Sequence, residues 1–583
     1  MLLPSLLLLT ASFASTQEPA PAASEAVAGP QPRLIVLVAV DQMIPEQFER
    51  LGEHMDGGLG RLWREGRVHV DAALPYARTE TGAGHVTFAT GCLPRTHGVV
   101  GNSFWDRLEG RERYCVEDRS ASLVTSGGIV ETTGQRSPST ILSPSLGMLL
   151  QRIDPAAKVV TVSAKDRAAI GMCGDAEGLA LWWDKGRGGF GTSTHYCREL
   201  PAAVSEWNAG WEARARAFVW EDTSPLEKVG GDHGAWGTAA DERSGERPLG
   251  RLGIEMPYVF PPETTAAALA KLAYETPMAD GFVADLAGEL VPGFELGQDD
   301  AVDLLAVSFS GCDTVGHANG PYSREVTDLL FRLDRSLGDL FEVLDSRVGE
   351  GRWMAALTAD HGVLPLPEHL QSLGLDARRV SGAEVRAMRA ALVDRANARL
   401  GVKLRVRSAS GGLRLEKAKL DGTEVTPERA RQVLVEELRA LRGAYPWLDD
   451  AYSMDEVAAF APDQLGVRAL VANTFHPDRT PDVIVVNAAD VLVGVGKGTS
   501  HGSPHHYDRD VPLIFYGPGF EPEHISGACG SHDVVPTLLE AAALETGATF
   551  DGRALRGESE AGTAEETESA GEAGRDGAGE GEG

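Results

Sequence analysis

The hydrophobic pattern begins in earnest at Leu34–Val40, LIVLVAV, a continuous run of apolar and mostly branched residues that stops at Asp41. Such a run suits a strand buried on both faces of a parallel sheet. Similar runs recur at Val159–Val162, Leu304–Phe309, Met354–Thr358, Val483–Val486 and Leu513–Tyr516, with helical spacing between several of them. Alternating strands and helices predict an α/β fold: a doubly wound, mostly parallel central sheet with helices on both faces. Ligands in such folds gather beyond the carboxyl ends of the strands. Asp41, Cys312-Asp313 and Asp360-His361 each follow one of these runs, which puts them on one edge.

The pattern changes between about Pro365 and Arg479. Glu384–Leu400 and Pro427–Leu441 read as amphipathic helices, and Leu404–Leu415 reads as a hairpin broken by glycine. An inserted α+β subdomain is therefore expected over 365–479, between core segments at 32–364 and 480–556. Met1–Leu9 is leucine-rich, and Ser12-Phe13-Ala14 offers a small-x-small cleavage site, so residues 1–14 read as a signal peptide and 15–31 as an Ala/Pro/Glu linker. No segment is apolar for long enough to span a membrane. Export to the periplasm or beyond is the expectation.

Composition narrows the function classes. With 54 basic and 85 acidic residues the chain carries a net charge of −31. An acidic surface repels a phosphate backbone, which argues against a nucleic-acid duplex as partner. Gly557–Gly583 holds nine acids, one arginine and no large apolar side chain, and it reads as a disordered tail. The rest of the chain is still strongly acidic, so an anionic substrate needs a local positive centre such as a metal ion. The six cysteines fit no zinc-ribbon spacing. In an exported chain Cys173 and Cys197, which flank one Gly/Trp-rich stretch, are the pair to consider, and buried free thiols are the alternative.

Candidate chemistry lies in three places. In Arg78–His85, RTETGAGH, the small residues after Thr81 allow a sharp entry into a helix, placing the Thr81 hydroxyl where backbone N–H groups favour an anion. An ordinary N-cap threonine reads the same way, and Thr79 is a local competitor. Asp313-Thr-Val-Gly-His317 sets a carboxylate and an imidazole one helical turn apart. His501 adds an imidazole on the Gly-rich loop Gly498–Ser503, and Asp41, Asp360 and His361 make a second N/O set. Hard ligands at strand ends with no thiolate match two zinc-like sites rather than a structural zinc, and a metal pair suits in-line phosphoryl displacement.

These residues in this order, with the stretches DQM, GHVTFATG, GVVGN, SAKDR, TADHGV and THGSPHHYDRDVPLIFYG, resemble the alkaline phosphatase superfamily. The resemblance is to the branch shared by type I phosphodiesterase/nucleotide pyrophosphatases and threonine-nucleophile alkaline phosphatases, and it runs from about Leu34 to Gly517. It implies that Asp41, Asp360 and His361, with Thr81, hold one Zn2+ (or another divalent metal) near the nucleophile. Asp313, His317 and His501 would hold the second, near the leaving group. Thr81 would form a phosphothreonine, and Asn102, Lys165 and Arg167 would contact the phosphoryl oxygens.

Lys165 and Arg167 favour a phosphomonoester, whose dianion has one more charge to neutralise than a diester. Small phosphate esters are thus the expected substrates, with a phosphodiesterase or nucleotide pyrophosphatase as the alternative. A non-catalytic, metal-stabilised binding protein is a more distant one. A sulfatase is disfavoured, because Cys92-Leu-Pro-Arg95 has the wrong spacing for its modified nucleophile. Two departures from the monoesterase pattern stand out. Gly82-Ala83-Gly84 replaces a proline-containing stretch and is expected to loosen the turn, and Cys312 beside Asp313 is expected to pair or oxidise.

Overall fold

The computed structural model of the protein describes residues 31–131, 133–225, 244–417, 420–461 and 465–555. The expected signal peptide, the linker up to residue 30 and the acidic tail from 557 lie outside the described residues. The first apolar run forms strand β1 (Leu34–Val40), buried along its whole length. Leu34, Val36, Val38 and Val40 enter one hydrophobic core, and Ile35, Leu37 and Ala39 enter a second on the opposite face. This is the strand's period of two with both faces apolar, as a sheet covered on two sides requires. Each fully buried Val, Leu or Ile contributes on the order of 1.5–3 kcal/mol of transfer free energy, so β1 is a main anchor of both layers.

Ten further strands complete the sheet. They are β2 (Arg67–His69), β3 (Leu123–Thr125), β4 (Gly128–Val130), β5 (Val159–Ser163), β6 (Leu179–Trp183) and β7 (Phe190–Ser193), followed by β8 (Asp303–Phe309), β9 (Trp353–Thr358), β10 (Leu513–Tyr516) and β11 (Glu523–Ile525). Their spatial order is β11-β2-β10-β9-β1-β8-β5-β6-β7-β3-β4. The central strands β9, β1, β8, β5 and β6 are parallel, while β10 on one flank and β7, β3 and β4 on the other run antiparallel to their neighbours. The sheet is therefore mixed, with the expected parallel arrangement at its centre. Helices α1 (Thr81–Thr90) and α2 (Asp166–Cys173) contribute to the core on one face. Helices α3 (Met278–Gly293) and α5 (Arg324–Leu344) contribute to the core on the other, and α4 (Gly311–Asn319) follows β8 directly.

Register explains why polar residues converge. Val40 pairs with Phe309, Ala39 with Thr358 and Ser308 with Ser163. The carboxyl ends of four adjacent strands are thus level, and Asp41, Asp313, Asp360 and Lys165 follow within four residues of them.

The helices expected at 384–400 and 427–441 are present as Gly382–Leu400 and Pro427–Leu441, and they share a separate apolar core with a four-stranded sheet. One strand of that sheet corrects the sequence reading. Val483–Asn487 pairs with Gly412–Leu415 and Leu448–Ser453, not with the large sheet. Arg378–Val380 also pairs with Val491–Val493, so the chain re-enters the large sheet only at β10, well past the boundary expected at 480. An apolar β-branched run reports burial, and the small core satisfies that condition as well as the large one does. The cysteine expectation also changes: Cys173 and Cys197 are both free thiols, as are the other four. Among the described residues no helix is long and apolar enough to cross a membrane.

Under α1 lies His97, fully buried, with Nε2 3.1 Å from Thr87 Oγ1 and Nδ1 accepting the Val99 N–H at 3.1 Å. Burial pushes its pKa down from 6.5 to about 3. The unfolded chain takes up a proton near pH 6.5 and the folded ring does not until about pH 3. This contribution to stability is therefore complete above pH 6.5 and declines as the pH falls toward 3. Urea midpoints at pH 8 and pH 5 should show the loss in the wild type and a smaller loss in His97→Gln; equal losses would exclude this ring as a source.

Candidate active site at the carboxyl edge of the sheet

Asp41, Asp360 and His361 are wholly buried, and Asp313 is nearly so. Ligand atoms of Asp313, His317 and His501 lie within 4.8 Å of one another, and so do those of Asp41, Asp313 and His361. Asp41, His85 and Asp360 form a third such group, so six of the seven residues expected as metal ligands fall in these groups among the described residues, and Thr81 does not. His361 Nε2 is 3.6 Å from Asp41 Oδ1 and 3.4 Å from Asp360 Oδ2, which joins the deep set. His317 Nε2 is 3.1 Å and His501 Nε2 3.7 Å from Asp313 Oδ1, which joins the second set. His317 has 26% of its side chain exposed, so the second set is the one that opens to solvent.

Each of these three imidazoles is oriented the same way. His317 Nδ1 donates to the Thr499 carbonyl at 2.8 Å, His501 Nδ1 to the Thr79 carbonyl at 2.6 Å and His361 Nδ1 to the Gly362 carbonyl at 3.0 Å. A backbone acceptor at Nδ1 fixes the tautomer and leaves Nε2 as a lone pair aimed at the carboxylates, the form a metal ligand needs. Burial, together with His361 and His317, holds the His501 pKa well below the ordinary histidine range, and burial lowers that of His361. For His317 burial acts the same way, but the Asp313 carboxylate outweighs it and raises the pKa.

Among the described residues, Asp41 Oδ1 and His361 Nε2 are buried with no hydrogen-bond partner, and Asp360 Oδ2 has only the His85 ring nitrogen, at 3.3 Å. Polar atoms rarely tolerate that position, and three of them converging as acceptors fit a cation. The donor set of carboxylates and imidazoles, without thiolates, suits a zinc-like divalent ion.

The residues expected to handle phosphate surround this edge. Thr81 opens α1, and its Oγ1 lies 3.1 Å from Arg167 Nη2. Asn102 Oδ1 accepts the Gly82 N–H at 2.8 Å, which leaves its amide NH2 as the end available to another group. Lys165 caps α2, and its Nζ bridges Asp41 Oδ2 and Asp313 Oδ2 at 2.5 Å each. Burial alone would lower the lysine pKa; the two carboxylates reverse that and raise it. Burial also acts to raise Asp313, but His317 and Lys165 hold it well below the usual carboxylate range. Asp41 goes the other way, pushed well up by burial and by Asp360. Asp166 between them turns outward, accepting Tyr114 Oη and Arg136 Nε at 2.6 Å each. Thr79 belongs to the scaffold: its hydroxyl donates to the Ser503 carbonyl at 3.2 Å and its own carbonyl holds His501.

Sequence reasoning missed several contributors. Gln42, with φ +72°, donates its backbone N–H to Asp360 Oδ1 at 3.1 Å and its Nε2 to Asp313 Oδ1 at 2.8 Å. A left-handed glutamine costs of order 1–3 kcal/mol and persists only where surroundings impose it. His85 sits one turn after Thr81. Its Nδ1 contacts the Thr81 carbonyl at 2.9 Å and Asp360 Oδ2 at 3.3 Å, and its Nε2 meets Ser308 Oγ at 2.7 Å. With both nitrogens engaged it supports Asp360 rather than serving as a further ligand. Arg78 pairs with Glu80 Oε1 at 2.8 Å, and Glu80 Oε2 accepts the Asn102 N–H at 2.6 Å. Arg78 also bonds the Ser410 carbonyl at 2.9 Å, linking the inserted subdomain to Asn102. The four-residue step from Thr81 to His85 was the only one of these signals visible in the sequence.

Two expectations are corrected. The glycines after Thr81 do not loosen the turn. A Cβ on Gly84 would lie 2.3 Å from the Asp360 carbonyl oxygen, so the residue lets α1 press against the backbone that carries a ligand. Cys312 is buried and free, and burial with Asp280 and Asp313 pushes its thiol pKa well up, away from the reactive thiolate.

The family model of type I phosphodiesterase / nucleotide pyrophosphatase matches residues 35–508. The chain is 28% identical over 513 residues to alkaline phosphatase PhoV of Synechococcus elongatus, covering 87% of this chain and 89% of the relative. It is 29% identical over 525 residues to alkaline phosphatase PafA of Elizabethkingia meningoseptica, covering 87% and 91%. A crystal structure of wild-type alkaline phosphatase PafA superposes with a TM-score of 0.79 at 28% identity, covering 91% of this chain and 99% of that one.

The tight approach of α1 to Asp360 has a direct test. Gly84→Ala should cost about 1–3 kcal/mol in stability through overpacking and lower the affinity for added Zn2+ in a competitive chelator titration. Unchanged zinc affinity would show that the contact does not position Asp360.

Proposed function

Because the chain belongs to the type I phosphodiesterase / nucleotide pyrophosphatase family, we propose that it is a metal-dependent phosphomonoester hydrolase of the alkaline phosphatase type. The observation that carries this reading is the Arg167 guanidinium on the Thr81 hydroxyl, at a helix N-terminus flanked by two carboxylate–histidine sets. Asp41, Asp360 and His361 would hold one divalent ion and Asp313, His317 and His501 another, most simply two Zn2+. When bound, such ions supply the positive charge that favours an ionised threonine oxygen and a departing ester oxygen at neutral to alkaline pH.

In this mechanism Thr81 Oγ1 attacks phosphorus, the phosphorus–ester oxygen bond breaks, and the alcohol leaves. A water then attacks the phosphothreonine, breaking its phosphorus–Oγ1 bond and releasing phosphate. Arg167 offers parallel N–H donors to two non-bridging oxygens, and the free amide of Asn102 offers another, held in place by Gly82 and by Glu80 through the Asn102 backbone. Lys165 adds positive charge against the extra negative charge that a monoester dianion has over a diester. Glu80, itself held ionised by Arg78 against the effect of burial, keeps Asn102 in register. The diesterase named by the family model is the second reading, and it requires a site that tolerates a second ester group beside Arg167. We further propose that residues 1–14 direct export of the chain.

An aryl phosphate monoester should be hydrolysed with higher kcat/KM than the matching diester, and a chelator should abolish both activities. A diester preference would favour the second reading. Thr81→Ala should lower kcat by roughly 10³–10⁶-fold with zinc content retained, and Thr79→Ala should lower it far less. The reverse ranking of the two threonines would overturn the assignment.

A further inference from the structure

A second concavity, of about 310 Å³, adjoins the Thr81 site; its lining includes Tyr114, Arg136, Arg167, Trp182, Lys185 and Arg187. Its cations are not equally engaged. Arg136 pairs with Asp166 at 2.6 Å, and Arg187 pairs with Asp184 at 3.1 Å while keeping 48% of its side chain exposed. Lys185 is exposed and has no salt bridge among the described residues; its Nζ instead lies 3.4 Å over the Tyr274 ring. Lys165 and Arg167 also line this cleft, which joins it to the Thr81 site.

The turn that carries Lys185 and Arg187 is fixed by its own hydrogen bonds. It joins β6 to β7, and Asp184 Oδ1 accepts the N–H groups of Gly186 at 2.8 Å and Arg187 at 3.1 Å. The Asp184 and Gly189 backbones bond at 2.9 Å, and Gly188 N–H bonds the Asp184 carbonyl at 2.7 Å. Gly188, with φ +78°, lets the turn lie against Trp211, where a Cβ would come within 2.1 Å of the ring. Two solvent-reaching cations on a preorganised turn, in a chain of net charge −31, gain little by folding stability. They make a local positive field beside the Thr81 site.

We propose that this concavity is a second anion subsite, in which Lys185 and Arg187 receive a further phosphate on the leaving group while Arg167 holds the phosphoryl group being transferred. The proposal rests on the phosphomonoesterase reading and narrows its substrates to esters that carry two phosphates on one carbon skeleton. Phosphate chemistry suits the pair, because a dianion can be shared by an ammonium and a planar guanidinium at once.

The test compares initial rates of phosphate release from α,ω-alkanediol bisphosphates with chains of three to six carbons and from the matching alkanol monophosphates. The zinc-loaded wild type should prefer the bisphosphate in kcat/KM for at least one chain length. The double variant Lys185→Ala/Arg187→Ala should lose that preference by roughly tenfold, the scale of one charged hydrogen bond, with monophosphate turnover within about twofold of wild type. No preference at any length, or an equal loss on both substrate types, would overturn the subsite. Inhibition by inorganic phosphate that weakens in the double variant while the bisphosphate preference stays would assign the cleft to free phosphate instead and overturn the leaving-group role. If the wild type releases phosphate from neither series, the phosphomonoesterase reading fails and the subsite fails with it.

Discussion

Three carboxylates buried side by side cannot all carry charge unless positive charge is built in among them, and this constraint organises the protein. Asp41, Asp313 and Asp360 meet at the level ends of β1, β8 and β9 with almost no exposure. Lys165 answers two of them directly, the Gln42 backbone and His85 answer the third, and three imidazoles turn their Nε2 atoms inward. The opposed shifts of Asp41 and Asp313 arise because burial acts on both, while His317 and Lys165 favour the charge on Asp313 and Asp360 opposes the charge on Asp41. A buried carboxylate cluster is a poor source of stability. The apolar cores on the two faces of the sheet are what allow it to persist.

Much of this was legible in the sequence because the signals were local. An apolar run ending in Asp, repeated on adjacent strands, places the acids on one edge before any pairing is known. His317 and His501 also stood out by residue type as candidate ligands, whereas Thr81 was separated from an ordinary N-cap and from Thr79 only by the family resemblance. What could not be read was contact between distant segments. Gln42 touches Asp313 across 271 positions and Arg78 touches Ser410 across 332, and neither residue type advertises such a role. Val483–Asn487 was placed in the wrong sheet because two cores reward the same pattern. The glycines after Thr81 were misjudged for a related reason: a missing side chain looks like looseness along the chain but is closeness to Asp360 in space.

Thr79 and Thr81 illustrate how the fold separates two similar residues. They are two positions apart and both buried, yet one hydroxyl is spent on the Ser503 backbone and the other faces a guanidinium. The difference comes from the step into α1, where Glu80 is the cap and the first helical residue projects toward the sheet edge. The register of this helix start decides which of the two hydroxyls meets Arg167.

The ligands also differ greatly in when they become available. Asp41 directly follows the first strand of the sheet, whereas His501 lies on a loop that reaches Asp313 only after the inserted subdomain has been traversed. Contacts of such sequence separation form late, because loop closure must come before they are rewarded. A chain made from its amino end contains Asp41, Asp313, Asp360 and His361 well before it contains His501, so the deep set of candidate ligands is present before the second is complete. The two sets thus make different demands on the chain: a polypeptide ending before His501 keeps every residue of the deep set and lacks one of the second.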